Sequence, residues 1–173
     1  MRDAHEFDTA LSLDATALEP TRQYVTFSLG AQLYCVDIMS VREIRASNVI
    51  TSLPNAPEFV RGVINLRGTI VPIIDLRTRF GLGRTDASQS QVIVIVMIEG
   101  RLNGLLVDSV SDILTVRQKD VSAVPDTDGN VEGMYFEGLI THRDNMMIVI
   151  ALDRLLRSST APARYQAGTT NAA

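Results

Sequence analysis

The sequence is poor in the residues that build disulfide scaffolds and nucleic-acid surfaces. Among 173 residues there is one cysteine, one lysine and no tryptophan. The single cysteine, Cys35, excludes an internal disulfide framework, and it lies in an apolar stretch, where a small buried side chain is expected. A net charge of -4 disfavours contact with phosphate backbones, and few aromatic residues are present to stack on bases. Nucleic acid is therefore not the predicted partner.

Long hydrophobic segments are also missing. The longest apolar runs, Val92 to Ile98 and Met146 to Leu152, are seven residues each, whereas a membrane-spanning helix needs about 20. Met1 to Pro20 contains several acidic residues and lacks the continuous apolar stretch of a signal peptide. The sequence therefore predicts neither export nor membrane insertion, and the short apolar runs have the length of strands.

No arrangement typical of an active site is present. Neither histidine, His5 or His142, has a metal-ligating residue at a suitable spacing, and the motifs of serine nucleophiles and phosphate-binding loops are absent. Five aspartates follow strands and are predicted to cap backbone groups: Asp37, Asp75, Asp108, Asp112 and Asp153. The sequence therefore predicts no catalysis, no metal site and no cofactor.

The residues that are present indicate short strands joined by tight turns. Val25, Phe27 and Leu29 alternate with Tyr24, Thr26 and Ser28, which predicts one buried face and one wetter face. Leu29 to Gln32 is predicted to be a hairpin turn. Further strands are expected at Leu33 to Ile38, Val63 to Leu66, Thr69 to Leu76, Gln91 to Ile98, Leu102 to Val107, Ile113 to Val116 and Met146 to Leu152.

Few helices are predicted. Asn55 and Glu58 resemble a capping box, which indicates a one- or two-turn helix ending at Gly62. Another turn is expected in Asp75 to Gly81, and a short helix in Leu152 to Arg157. None is long enough to connect parallel strands across a sheet, so the fold class is all-β.

An internal repeat suggests two similar halves. The stretch Gly62 to Gly68 is echoed by Gly138 to Asp144, at an offset of 76 residues, and an aliphatic run follows each. Two small barrels fit this spacing better than one large barrel.

One segment, Ser40 to Leu76, is dense in aliphatic and arginine side chains. If its first part is a strand, alternation places Glu43 and Arg45 on one face and Arg42 and Ile44 on the other. Charged groups at the rim of an apolar patch favour specific protein binding. A solvated strand face would explain the same pattern.

Several motifs resemble those of the CheW-type chemotaxis coupling proteins. They are Val41-Arg42-Glu43-Ile44-Arg45, the stretch Pro54 to Gly68, Ile70 to Arg77, Gly104 to Leu114, Gly138 to Ile140, and Leu152 to Leu156. The resemblance runs from about Gln23 to Leu156, which is 134 of the 173 residues.

The resemblance implies two packed SH3-like barrels of five strands with short helices. On this basis residues 1–21 and 158–173 are expected to be flexible tails, and residues 22–157 to form the CheW-like domain. Its first barrel is predicted at about 22–66 plus 143–157, and its second at about 67–142.

The resemblance also implies a non-catalytic, cytoplasmic adaptor between two proteins in receptor arrays. The partners would be the cytoplasmic tip of a methyl-accepting chemotaxis receptor and the regulatory domain of a CheA-type histidine kinase. Receptor contacts are expected at Val41, Glu43, Ile44, Arg67 and Gly68, and kinase contacts at Ile50, Arg61 and Gly62. Two alternatives stay open: a CheW-like regulatory module of another two-component system, such as one for twitching, and a small-ligand-binding barrel.

Overall fold

The computed structural model describes residues 19–47, 49–86, 90–126 and 131–157. Most of both predicted tails, residues 1–18 and 158–173, lies outside the described residues. Within them the chain forms strands β1 (Thr21–Leu29), β2 (Gln32–Asp37), β3 (Val41–Ala46), β4 (Val60–Leu66), β5 (Thr69–Asp75), β6 (Val92–Ile98), β7 (Arg101–Val107), β8 (Ser109–Arg117), β9 (Val121–Ser122), β10 (Phe136–His142) and β11 (Asn145–Ile150). Two short helices follow β5 and β11: α1 (Leu76–Arg79) and α2 (Leu152–Arg157).

The strands form two sheets. The terminal sheet has the order β8-β1-β2-β11-β10-β9, and the central sheet has the order β3-β6-β7-β5-β4. Neighbouring strands are antiparallel except for β2 with β11 and β5 with β7, which are parallel. These two parallel pairs join strands that are distant in sequence, so no hairpin signal predicts them.

Each sheet curls until its two edges are linked. In the central sheet, Ser47 donates its backbone N–H to Gln91 beside β6, and Thr51 exchanges two backbone hydrogen bonds with Val63 on β4, at 2.8 and 2.9 Å. Ser47 and Thr51 thus contact opposite edges of the sheet, and residues 49–51 are called the closing segment. In the terminal sheet, the 3₁₀ turn Gln118–Asp120 connects the edge strands β8 and β9 directly. The two sheets are therefore called the central barrel and the terminal barrel.

The division of strands between the barrels differs from the predicted one. A boundary at residue 66 would separate β4 from β5, but these strands pair along their whole length, from Val60 with Ile74 to Leu66 with Thr69. A hairpin with a two-residue turn makes its strongest pairing within itself, so both strands stay in one sheet. The central barrel is continuous in sequence, whereas the terminal barrel combines β1 and β2 with β8 to β11.

The structure extends the 76-residue repeat well beyond its sequence motif. The hairpin β4–β5 followed by α1 corresponds to β10–β11 followed by α2. The backbone N–H of Asp75 donates to the carbonyl of Phe59 at 2.8 Å, and that of Ala151 donates to the carbonyl of Tyr135 at 2.7 Å. The order β3-β6-β7-β5-β4 also matches β8-β1-β2-β11-β10 strand for strand. The two barrels are therefore related by an approximate two-fold repeat.

Three hydrophobic clusters hold the molecule together. One lies inside each barrel, and the largest, here called the junction, is shared between the barrels. On β6, Val94 and Val96 face the junction, whereas Ile93 and Ile95 face the interior of the central barrel. Strands buried on both faces need continuous apolar runs, which explains the run Val92–Ile98.

Two local predictions were wrong. Tyr24 and Thr26 were expected on the wetter face of β1, but both are buried, because the terminal barrel closes over that face. No helix forms after Asn55, whose φ of 59° is incompatible with the extended conformation of an N-cap residue. Turns occupy this stretch instead, and Val60 donates its N–H to Pro57. The hairpin turn after Leu29 and the helical segments α1 and α2 were predicted correctly.

Candidate functional site

The edge strand β3 presents alternate side chains to two environments. Val41, Glu43 and Arg45 are half-buried, whereas Arg42 and Ile44 are exposed, as the alternation predicted. Ile44 keeps 44% of its surface accessible. It pairs with Val94, a residue of the junction, so its side chain lies on the junction side of the sheet.

An ion pair links β3 to the opposite edge of the central barrel. The Arg67 guanidinium donates to Oε2 of Glu43 at 2.6 Å, and Arg45 lies 3.9 Å from Oε1 of the same carboxylate. Because Arg67 is 77% exposed, the pair contributes only about 0–1 kcal/mol to stability. Its main effect is to orient two charged groups at the surface.

Arg67 owes its position to a tight turn between β4 and β5. Arg67 and Gly68 both have positive φ, 49° and 86°, which is the conformation of a type I′ hairpin turn. The N–H of Gly68 donates to Oδ1 of Asn65 at 2.8 Å. The turn therefore projects Arg67 beyond the end of the hairpin, towards Glu43.

Of the five predicted receptor contacts, the structure brings two into direct contact at this end of the central barrel. Glu43 and Arg67 touch, Ile44 lies on the opposite face of β3 from Glu43, and Val41 packs against the junction. We call these residues with Gly68 the Arg67 surface. The structure adds Ile70, which is 52% exposed, two residues after Gly68 on β5. Alternation along β5 from the buried Val71 could have identified it as outward-facing.

The three predicted kinase contacts lie deeper in the fold. Ile50 is half-buried and packs against the central-barrel cluster. Gly62 is buried, and a Cβ atom there would lie 2.1 Å from the carbonyl oxygen of Thr51. Gly62 therefore allows the closing segment to approach β4. Val49 is 90% exposed, and Thr51 is exposed as well.

Arg61 belongs to a network around a fully buried carboxylate, Asp75. Asp75 caps α1 by accepting from the N–H groups of Arg77 and Thr78, as expected for an aspartate after a strand. It also accepts from the hydroxyl of Thr85 at 2.7 Å, and Arg61 lies 3.7 Å away. These partners hold the Asp75 carboxylate in place at the start of α1, so Asp75 serves the fold.

Other chemistry is sparse in the part of the chain that the structure describes. Those residues include no group of three or more His, Cys, Asp or Glu side chains placed to hold a metal ion. None of their helices is long and apolar enough to cross a membrane. Burial raises the pKa of the Cys35 thiol to about 12, which makes it a poor nucleophile.

Comparison with known proteins gives a consistent result. The model of the CheW-like domain matches residues 23–160. The "Chemotaxis protein CheW" of Rhizobium meliloti is 39% identical over 142 residues, covering 82% of this chain and 92% of that protein. The protein of the same name from Klebsiella aerogenes is 34% identical over 137 residues, covering 79% and 82%.

A solved structure agrees. The crystal structure of the scaffolding protein TtCheW from Thermoanaerobacter tengcongensis superposes with a TM-score of 0.70 at 37% identity, over 76% of this chain and 89% of that one. Both the fold and the sequence thus point to the same group of proteins.

Proposed function

The chain belongs to the CheW-like family of chemotaxis proteins, and on that premise we propose that it is a non-catalytic adaptor joining a methyl-accepting receptor to a CheA-type histidine kinase. Its place of work would be the cytoplasmic face of receptor arrays. An adaptor must hold two partners at once, and two barrels packed on one shared core offer separate surfaces on a stiff body.

We assign receptor binding to the Arg67 surface. The observation that carries this assignment is the contact between Arg67 and Glu43 on an edge strand whose other face exposes Ile44. A partner that packs along this edge strand meets charged groups on one face and an exposed aliphatic side chain on the other, a combination that favours specific protein binding. The tip of the receptor, a helical hairpin, would bury Ile44 and exchange charge contacts with the pair.

For the kinase, we assign the closing segment of the central barrel. Val49 is exposed and Ile50 is half-buried, so this segment can offer apolar contacts. Arg61 and Gly62 would act indirectly, since Gly62 lets the segment pack against β4 and Arg61 anchors β4 to Asp75. Their substitution would then weaken kinase binding through the shape of the segment.

A charge reversal tests the receptor assignment. Arg67→Glu places a second carboxylate beside Glu43 and repels it, so we expect receptor affinity to fall at least about tenfold, equivalent to about 1.4 kcal/mol. The measurement is calorimetric titration with a receptor cytoplasmic fragment, and separately with the kinase regulatory domain. Kinase affinity should stay unchanged.

The matched control is Arg101→Glu, the same charge change at an exposed arginine on β7. Circular dichroism and urea unfolding establish that both variants are folded. Equal receptor affinity for Arg67→Glu and Arg101→Glu would refute the assignment. Failure of the unmodified chain to bind either partner would refute the adaptor function itself.

A further inference from the structure

The two barrels meet at an arginine held between two aromatic rings. The guanidinium of Arg79, on α1, lies 4.2 Å from the ring centre of Phe59 and 4.8 Å from that of Tyr135. Its Nη2 also donates to the Tyr135 hydroxyl at 2.6 Å. Phe59 precedes β4 of the central barrel and Tyr135 precedes β10 of the terminal barrel, so one side chain of the central barrel contacts both halves.

The two rings occupy equivalent places in the repeat. Phe59 and Tyr135 are 76 residues apart, and their carbonyls accept the corresponding hydrogen bonds from Asp75 and Ala151. Each ring thus stands at the start of one of the two matching hairpins. Arg79 therefore lies where the approximate two-fold relation brings these starting points together.

Arg79 itself breaks the repeat. The residue 76 positions later is Leu155, which is fully buried in the junction. A leucine fills such a place by packing alone, whereas a guanidinium plane can stack on aromatic faces and direct a hydrogen bond at the same time. The arginine therefore adds a directional contact at a place where the equivalent residue packs without direction.

We propose that Arg79 is a positioning residue that fixes the orientation of one barrel relative to the other. Beneath it, Phe80 stacks on Tyr34 at 5.5 Å and meets Phe136 edge-on at 5.4 Å, but these apolar contacts tolerate sliding. The hydrogen bond to Tyr135 and the double stack do not. The hairpin that carries Arg67 begins at Phe59. The contacts of Arg79 with Phe59 and Tyr135 would therefore also set the position of Arg67 relative to the terminal barrel.

The test measures the distance between the barrels directly. Thr69 and Asn145 are exposed, equivalent positions on the two hairpins, so a Thr69→Cys/Asn145→Cys chain carries one spin label on each barrel. Cys35 can stay, since it is buried and its thiol, with a pKa of about 12, reacts poorly with the label. Pulsed electron paramagnetic resonance then reports the distance distribution without any binding partner.

The variants separate orientation from packing. Arg79→Leu copies Leu155 and keeps the apolar stem, and we expect it to broaden the distribution about twofold because more than one orientation becomes populated. Arg79→Lys keeps the charge but loses the planar stack, and should broaden it as well. Tyr135→Phe removes only the hydroxyl and should have a smaller effect, while Arg101→Leu, remote on β7, should leave the distribution unchanged.

A wild-type distribution in folded Arg79→Leu would overturn the proposal, since Arg79 would then merely cover the junction with its stem. If that variant does not fold, Arg79→Lys decides in the same way. Because no partner takes part, the outcome is independent of receptor or kinase binding.

Discussion

Gly62→Ala should destabilise the central barrel as a whole rather than weaken one interface. The added Cβ would lie 2.1 Å from the carbonyl oxygen of Thr51 and 2.7 Å from its carbonyl carbon, both backbone atoms that cannot rotate away. Gly62 also has a φ of 147°, which side chains rarely adopt. The closing segment would therefore have to move away from β4.

The expected cost can be estimated from the contacts that are lost. Separating the segment from β4 breaks the two Thr51–Val63 hydrogen bonds, each contributing about 0.5–1.5 kcal/mol. Forcing an alanine into the backbone conformation of Gly62 adds about 1–3 kcal/mol. A loss of about 2–6 kcal/mol is then expected, which is a large part of the roughly 5–15 kcal/mol that stabilises a domain.

Urea unfolding measures this loss, with Gly68→Ala as the matched control. Gly68 has a φ of 86°, but a Cβ there meets no atom within 4 Å, so only about 1–2 kcal/mol of conformational strain is expected. If the free energies of unfolding of the two variants fall by amounts that differ by less than about 1 kcal/mol, which is close to experimental error, the clash with Thr51 does not determine the cost. A stable Gly62→Ala chain that fails to bind only the kinase would instead make Gly62 a direct contact.

Two further predictions concern buried groups. Asp75→Ala should lower the free energy of unfolding by about 3–5 kcal/mol, because α1 loses its cap and Arg61 loses its buried partner. Urea unfolding measures this loss. A loss below about 1 kcal/mol, as at a surface site, would contradict the role of the Asp75 network. For Cys35 the folded pKa of about 12 lies above the ordinary value of 9.0, so stability is constant below pH 9 and falls above it. By pH 10 the free energy of unfolding has fallen by about 1.4 kcal/mol through Cys35. Cys35→Ala should lack this part of the alkaline decline. Equal declines in both chains would instead place the thiol in solvent.

Local features of the fold could be predicted from the sequence because they depend on short-range rules. The turn after Leu29 follows from the positive φ that Gly30 allows. The alternation in β3 likewise follows from strand geometry. The capping-box pattern at Asn55 misled because nothing nearby in sequence reveals that the chain turns there to bring Phe59 under Arg79.

Long-range pairing was beyond such rules. The parallel pairs β2–β11 and β5–β7 depend on how separate hairpins meet, and the predicted barrel boundary at residue 66 fell inside the hairpin β4–β5. For the candidate site, the motif located Glu43 and Arg67, but their 2.6 Å contact needed the closed barrel. The burial of Arg61 and Gly62 could not be predicted, because arginine and glycine occur both at the surface and inside a fold.

The interrupted sequence of the terminal barrel affects the order in which the protein can form on the ribosome. β1 and β2 are synthesised first, yet their partners β8 and β11 emerge only after the whole central barrel. The central barrel can close as soon as Val107 has left the exit tunnel, while the apolar faces of β1 and β2 wait uncovered. This early hairpin is therefore where we expect chaperones to bind the nascent chain, and where a pause in translation would do most harm.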